Sequence, residues 1–215
     1  MTGQPSVRRK AATSSSVVSV AIYSPPVERV YIANEDDSLV TVIDRKSGDV
    51  VAEVPVGVEP EGMRVSPDNK ITVATSESSS MAHFIDNEKD EVIANVLVDT
   101  RPRHAEWTRD GSQVWVSSEV GGTVSVIDGK THEIAKVINF AIPGVSADLI
   151  QPVGIRFSKD GKLAFVALGP PTASPWLMPT PTTLRTTSWS ASAPGTWRSI
   201  PTGRSSTSPT ARPTT

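Results

Sequence analysis

Cysteine is absent from all 215 residues. Disulfides, thiolate catalysis and Cys-type zinc sites are therefore excluded. An excess of one charge is missing too, since the formal net charge is −2. Nucleic-acid binders and polybasic membrane binders draw affinity from clustered Lys and Arg, so neither class fits. No apolar run approaches the ~20 residues of a membrane span. Helical periodicity is lacking along the whole chain. So are the signatures of a reaction: there is no Gly-rich phosphate loop, no HExxH pair and no nucleophile elbow. The sequence gives no grounds to expect catalytic residues, a metal-ligand set or a cofactor.

What the chain does have is a repeat. Val42-Ile43-Asp44 returns as Phe84-Ile85-Asp86 and as Val126-Ile127-Asp128, each Asp 42 residues after the last. At the same offset Glu35, Glu77 and Glu119 coincide, as do Pro60 and Pro102. A fixed period of this size means stacked copies of one supersecondary unit. In the second unit, Val- and Ile-rich stretches at 62–66, 71–75, 82–86 and 92–98 read as strands, and Pro67-Asp68-Asn69 is turn chemistry between the first two. Four antiparallel strands per unit of ~42 residues predict an all-β chain built as a β-propeller. The blades fall at 18–57, 61–99 and 103–140, with a partial fourth at 151–169. Asp110 to Asp160 spans 50 residues, so eight are inserted, within 140–150. Asp44, Asp86 and Asp128 close the third strands and read as structural turn residues whose carboxylates accept backbone N–H groups.

Both ends depart from the repeat. Residues 1–17 read as a disordered leader or the remnant of a signal peptide: Arg8-Arg9-Lys10 precedes a small-residue stretch whose apolar part is short. Residues 170–215 hold no Asp, Glu, Lys, Asn or Val, yet carry nine of the eighteen prolines and three of the five tryptophans. That composition predicts a disordered Pro/Ser/Thr-rich tail. The abrupt change inside a blade suggests an out-of-frame translation. The ruler asks for Asp at 178, where Met178 stands. Moving the frame back one base turns Met178 into a codon ending in AT, which Asp satisfies. Positions 174–177 become compatible with the strand that precedes Asp128. A gene lacking a repeat-matching frame downstream would overturn this reading.

Three groups of residues are candidates for function. Arg101-Pro102-Arg103-His104 stands at the start of an innermost strand, beside the channel of a propeller. Arg101, Arg103 and His104 form a candidate ligand-binding cluster for a small anion, set against a solvated loop. Arg64, Glu106 and Arg156 share one repeat position on three successive innermost strands and read as a structural ion-pair network, because buried charges need partners. His132 reads as an exposed turn residue, and His83 as a strand residue.

Tyr31-Ile32-Ala33-Asn34, with Val42-Ile43-Asp44, Pro60-Glu61-Gly62 and Ser66-Pro67-Asp68, resembles the YVTN-type β-propeller repeat, over about 18–169. Residues 101–108 and 114–119 look more narrowly like the β-propeller proteins associated with PQQ-dependent catabolism. That resemblance implies about seven blades, a periplasmic or secreted location, and a non-enzymatic accessory role in PQQ-linked alcohol oxidation. It implies a protein partner, a PQQ-dependent dehydrogenase or a cytochrome c system. The Trp-rich docking motifs of the PQQ enzymes themselves are not present, so PQQ binding is not expected. The alternative, resting on fold-level likeness alone, is a lactonase-like propeller enzyme acting on a small anionic substrate.

Overall fold

The computed structural model describes residues 18–24, 28–141, 145–169, 185–193 and 196–200. The leader read at 1–17 lies outside them. The described residues form four four-stranded antiparallel sheets. The first holds β1 (Val18–Ser24), β2 (Arg29–Asn34), β3 (Leu39–Asp44) and β4 (Val50–Pro55). The second holds β5 (Pro60–Val65), β6 (Ile71–Ser76), β7 (Met81–Asp86) and β8 (Glu91–Leu97). The third holds β9 (Pro102–Trp107), β10 (Gln113–Ser118), β11 (Thr123–Asp128) and β12 (Ile134–Asn139). The fourth holds β13 (Gln151–Phe157), β14 (Leu163–Gly169), β15 (Arg185–Ala193) and β16 (Thr196–Ile200). Each sheet is a meander whose first strand is innermost: β1, β5, β9 and β13 stand side by side in chain order. The arrangement is propeller-like. Among the described residues the array is open, because β13 does not return to β1.

The core lies between sheets rather than within any one. Tyr31, Ala33, Val40, Val42 and Val54 pack on Met63, Ala74 and Ile85 across the first gap. Val73, Phe84 and Val96 pack on Ala105, Trp107 and Val116 across the second. Trp115, Val124 and Val126 pack on Ile155, Ala164 and Val166 across the third. Strands covered on both faces lose polar/apolar alternation. β6 and β10 accordingly bury nearly every residue, whereas β14, at the end of the array, alternates between buried and half-buried. Burying a Val or Phe side chain stabilises by roughly 1.5–3 kcal/mol, so these gaps carry most of the cohesion.

The tail differs from its expectation. β15 and β16 come from the stretch read as disordered, and they complete a fourth sheet where only half a blade was expected. Without β15, β14 would present a row of unpaired main-chain N–H and C=O groups, an edge on which an extended segment can pair. Ladder bonds use main-chain groups, so a shifted reading frame does not prevent such pairing. In the first three sheets Asp44, Asp86 and Asp128 pair with Arg29, Ile71 and Gln113. The equivalent residue, Leu163, pairs with Ser190, so the fourth sheet holds Ser190 at the place of the Asp. Met178 and the rest of 170–184 and 201–215 lie outside the described residues. No helix among the described residues is long and apolar enough to cross a membrane.

Candidate functional site

The innermost strands begin on bulges. Opposite Ser117 and Ser118 the ladder steps from His104 to Pro102, which leaves Arg103 as the extra residue. Glu61 and Gly62 stand in the equivalent bulge of β5. Bulges re-aim side chains. They also bring adjacent inner strands close: a Cβ on Gly62 would lie 2.5 Å from the Arg103 carbonyl oxygen, so only glycine fits. The equivalent residue on β9 is His104.

Arg101 and Arg103 meet carboxylates. Arg101 Nε is 2.8 Å from Glu77 Oε2 and 3.4 Å from Glu119 Oε2. Arg103 Nη1 pairs with Glu77 Oε1 and lies 2.9 Å from Glu61 Oε2. Arg103 Nε is 3.5 Å from Glu119 Oε2. Burial raises the Glu61 carboxyl to about 8, helped by its hydrogen bond with Glu77 and by the charges of Glu77 and Glu35, against the pull of Arg103. Glu77 moves the other way. Burial pushes it up, but the Glu61 hydrogen bond and the two arginines outweigh that and hold it below the usual range. The raised pKa of Glu61 brings the charge of the cluster closer to balance with its two guanidiniums. An anion arriving here would have to displace a carboxylate.

His104 is not part of that cluster. Its Nε2 lies 2.9 Å from Arg156 Nη1 and 3.5 Å from Glu106 Oε2. The expected trio therefore divides, with the two arginines in one group and His104 in another. Arg64, Glu106 and Arg156 do come together: Glu106 Oε1 is 3.0 Å from Arg64 Nη2, and Oε2 is 2.5 Å from Arg156 Nη1. The Glu106 side chain is 9% exposed, against 41% for Arg64 and 62% for Arg156. Burial pushes the Glu106 carboxyl up, but His104 and the two guanidiniums outweigh it and keep it ionised. Arg64, Glu106 and Arg156 line an open cleft of about 390 Å3 together with Arg109, Trp107 and Phe157.

The three turn aspartates accept backbone N–H bonds. Asp44 Oδ1 accepts from Lys46 and Ser47, both at 2.9 Å. Asp86 Oδ1 accepts from Glu88 and Lys89. Asp128 Oδ1 accepts from Lys130 and Thr131. The backbone bonds, that from Ser47 foremost, hold Asp44 below the ordinary carboxylate range. His83 is buried: Nδ1 contacts Asn95 Oδ1 at 2.6 Å, and Nε2 accepts from the Gly57 N–H at 2.9 Å. His132 is not the exposed residue its turn position suggests. Its ring packs against Phe84 of the preceding sheet, 4.4 Å between centroids and tilted by 37°, and burial lowers its pKa.

Sequence reasoning singled out neither Glu61 nor Arg109, and it noted Glu77 and Glu119 only as a repeated position. Their signal was in the numbering: Glu77 and Glu119 follow the second strands, beside the bulged starts of the first strands.

No family model and no curated protein matches the chain. Solved structures do match, 1223 chains in all. Hydrazine synthase from Kuenenia stuttgartiensis aligns with a TM-score of 0.58 at 18% identity, covering 93% of this chain and 70% of that one. At that identity the likeness speaks to fold alone, and it agrees with the propeller-like arrangement.

Proposed function

We propose that this chain is a non-enzymatic β-propeller binding module of the YVTN-repeat kind, a periplasmic accessory of PQQ-dependent alcohol oxidation. One observation carries the reading. The repeat phrases keep the same register in successive sheets: Tyr31 pairs with Val42, Val73 with Phe84, and Trp115 with Val126. That shared register supports reading the chain as an array of like units, the premise of the proposal.

The chemistry of the cleft supports binding over turnover. Its polar groups are guanidiniums, which recognise anions but hold their protons throughout the physiological range. Its one carboxylate, Glu106, is held ionised by partners and is correspondingly weak as a base. The partner under this reading is a PQQ-dependent alcohol dehydrogenase or its cytochrome c. Surface plasmon resonance with the purified dehydrogenase and cytochrome, beside a lactone hydrolysis assay, tests it. Saturable association with either protein is the expected result. Lactone turnover that disappears in Glu106→Gln, with no association, would replace this reading with the lactonase-like one.

A further inference from the structure

We propose that the cleft beneath β5, β9 and β13 is a binding site for a small aromatic carboxylate. The site does not depend on the accessory role. Its charge is unbalanced: Arg64, Arg109 and Arg156 line it against the single carboxylate of Glu106. Glu106 is already engaged by Arg64 and Arg156, and Arg109 makes no ion pair among the described residues. Each guanidinium has five N–H donors in a fixed fork that matches a carboxylate. Glu106, His104 and the Ile155 carbonyl all engage Arg156 through Nη1, and the exposure of Arg64 and Arg156 leaves their remaining donors open to the cleft.

Arg109 is held in place by its turn. Asp110 Oδ1 accepts from the Thr108 hydroxyl at 2.7 Å and from the Ser112 N–H at 3.1 Å. Gly111 follows with φ +70°, which suits glycine. The same turn sits over Pro67 of the second sheet. The cation is therefore presented on an ordered hairpin rather than a free loop.

The rest of the lining selects the ligand class. Phe157 supplies the exposed part of the aromatic wall and the nearly buried Trp107 backs it, each anchored by a second ring: Trp107 edge-on to Phe84 at 6.2 Å, Phe157 edge-on to Trp115 at 5.2 Å. Inorganic phosphate or acetate would satisfy the arginines but leave that wall wet. A flat ring bearing one carboxylate uses both. The volume of about 390 Å3 suits a molecule of that size, near the lower end for small-molecule sites.

Isothermal titration calorimetry on the full chain with benzoate tests the proposal, with acetate and phosphate as comparison probes. Benzoate should bind saturably and more tightly than either. Arg109→Ala lies on an exposed turn and removes no core contact; it should weaken benzoate about tenfold, the worth of one charged hydrogen-bonding partner. Arg103→Ala, among the Glu61 and Glu77 carboxylates, should leave benzoate affinity unchanged. Absence of saturable binding, or equal loss in both variants, would overturn the site. Acetate or phosphate binding as tightly as benzoate would overturn the ligand class.

Discussion

The inner strands carry two charged clusters that use the same residue types to opposite ends. At the bulged starts, three carboxyls (Glu61, Glu77 and Glu119) enclose two guanidiniums. Farther along the same strands, three guanidiniums line a cleft around one carboxylate. Burial at the starts is relieved by protonating Glu61. In the cleft no such relief exists, because an arginine cannot shed its proton. Its excess charge is met by solvent exposure instead. The first cluster is closed upon itself and the second is left able to accept an anion. Counting arginines in the sequence does not distinguish the two. Counting their partners does.

The contrast predicts unequal responses to substitution. Glu106→Gln should have the largest effect, because it strips the counter-charge from two arginines that converge on a nearly buried atom. Breaking a buried pair costs about 3–5 kcal/mol; the exposure of both arginines brings the expected loss to about 2–3 kcal/mol, read by urea denaturation. Stability equal to the parent chain would show that solvent already screens the cleft. Arg103→Ala should cost somewhat less, about 2 kcal/mol, since Arg101 still holds Glu77. A larger loss than in Glu106→Gln would reverse the ranking of the two clusters.

Glu61 of the first cluster and Glu106 of the second differ in the sign of their pH dependence. Glu61 has a folded-state value of about 8 against an ordinary 4.5. Between those values the folded chain keeps a proton that the unfolded chain releases, so stability falls as pH rises and levels off beyond about 8. Glu106 is depressed, so its contribution is present above its ordinary value and lost in acid. Melting temperatures followed from about pH 5 to about pH 9 should decline, and Glu61→Gln should flatten the decline. An unchanged slope in that variant would mean that Glu61 is ionised in the folded protein.

Legibility in the sequence followed the range of the interactions. The strands of the second sheet begin and end within two residues of the stretches at 62–66, 71–75, 82–86 and 92–98, because turn chemistry and β-branched runs are local. The meeting of Arg64, Glu106 and Arg156 was legible too, since a shared repeat position on adjacent blades fixes proximity. The partners of Arg101 and Arg103 were not. They come from β5 and from the ends of β6 and β10, through bulges that a gapless repeat does not reveal. His104 was drawn away by one such bulge, toward Arg156 of the next sheet. The strands at 185–193 and 196–200 were missed for a different reason. Composition describes what a segment prefers alone, and an open edge such as β14 can override it.

The smallest expected effect lies away from both clusters, in the turns that set the blade length. Asp86 Oδ1 accepts from the Glu88 and Lys89 N–H groups at 2.9 and 3.1 Å, and no ligand is proposed near it. Asp86→Ala should cost about 1 kcal/mol, the ordinary worth of such bonds at an exposed turn where water can replace them. Asp86→Asn keeps an acceptor oxygen at the same place and should recover most of the loss. Neither variant should change benzoate affinity, because the turn joins the two outermost strands of the second sheet while the cleft is built on the innermost ones. If Asp86→Ala instead unfolds the chain, the turn governs assembly of the whole sheet. The repeated Asp would then be a requirement for each blade to form, and the fourth sheet, with Ser190 in that place, should be the first to open in hydrogen exchange.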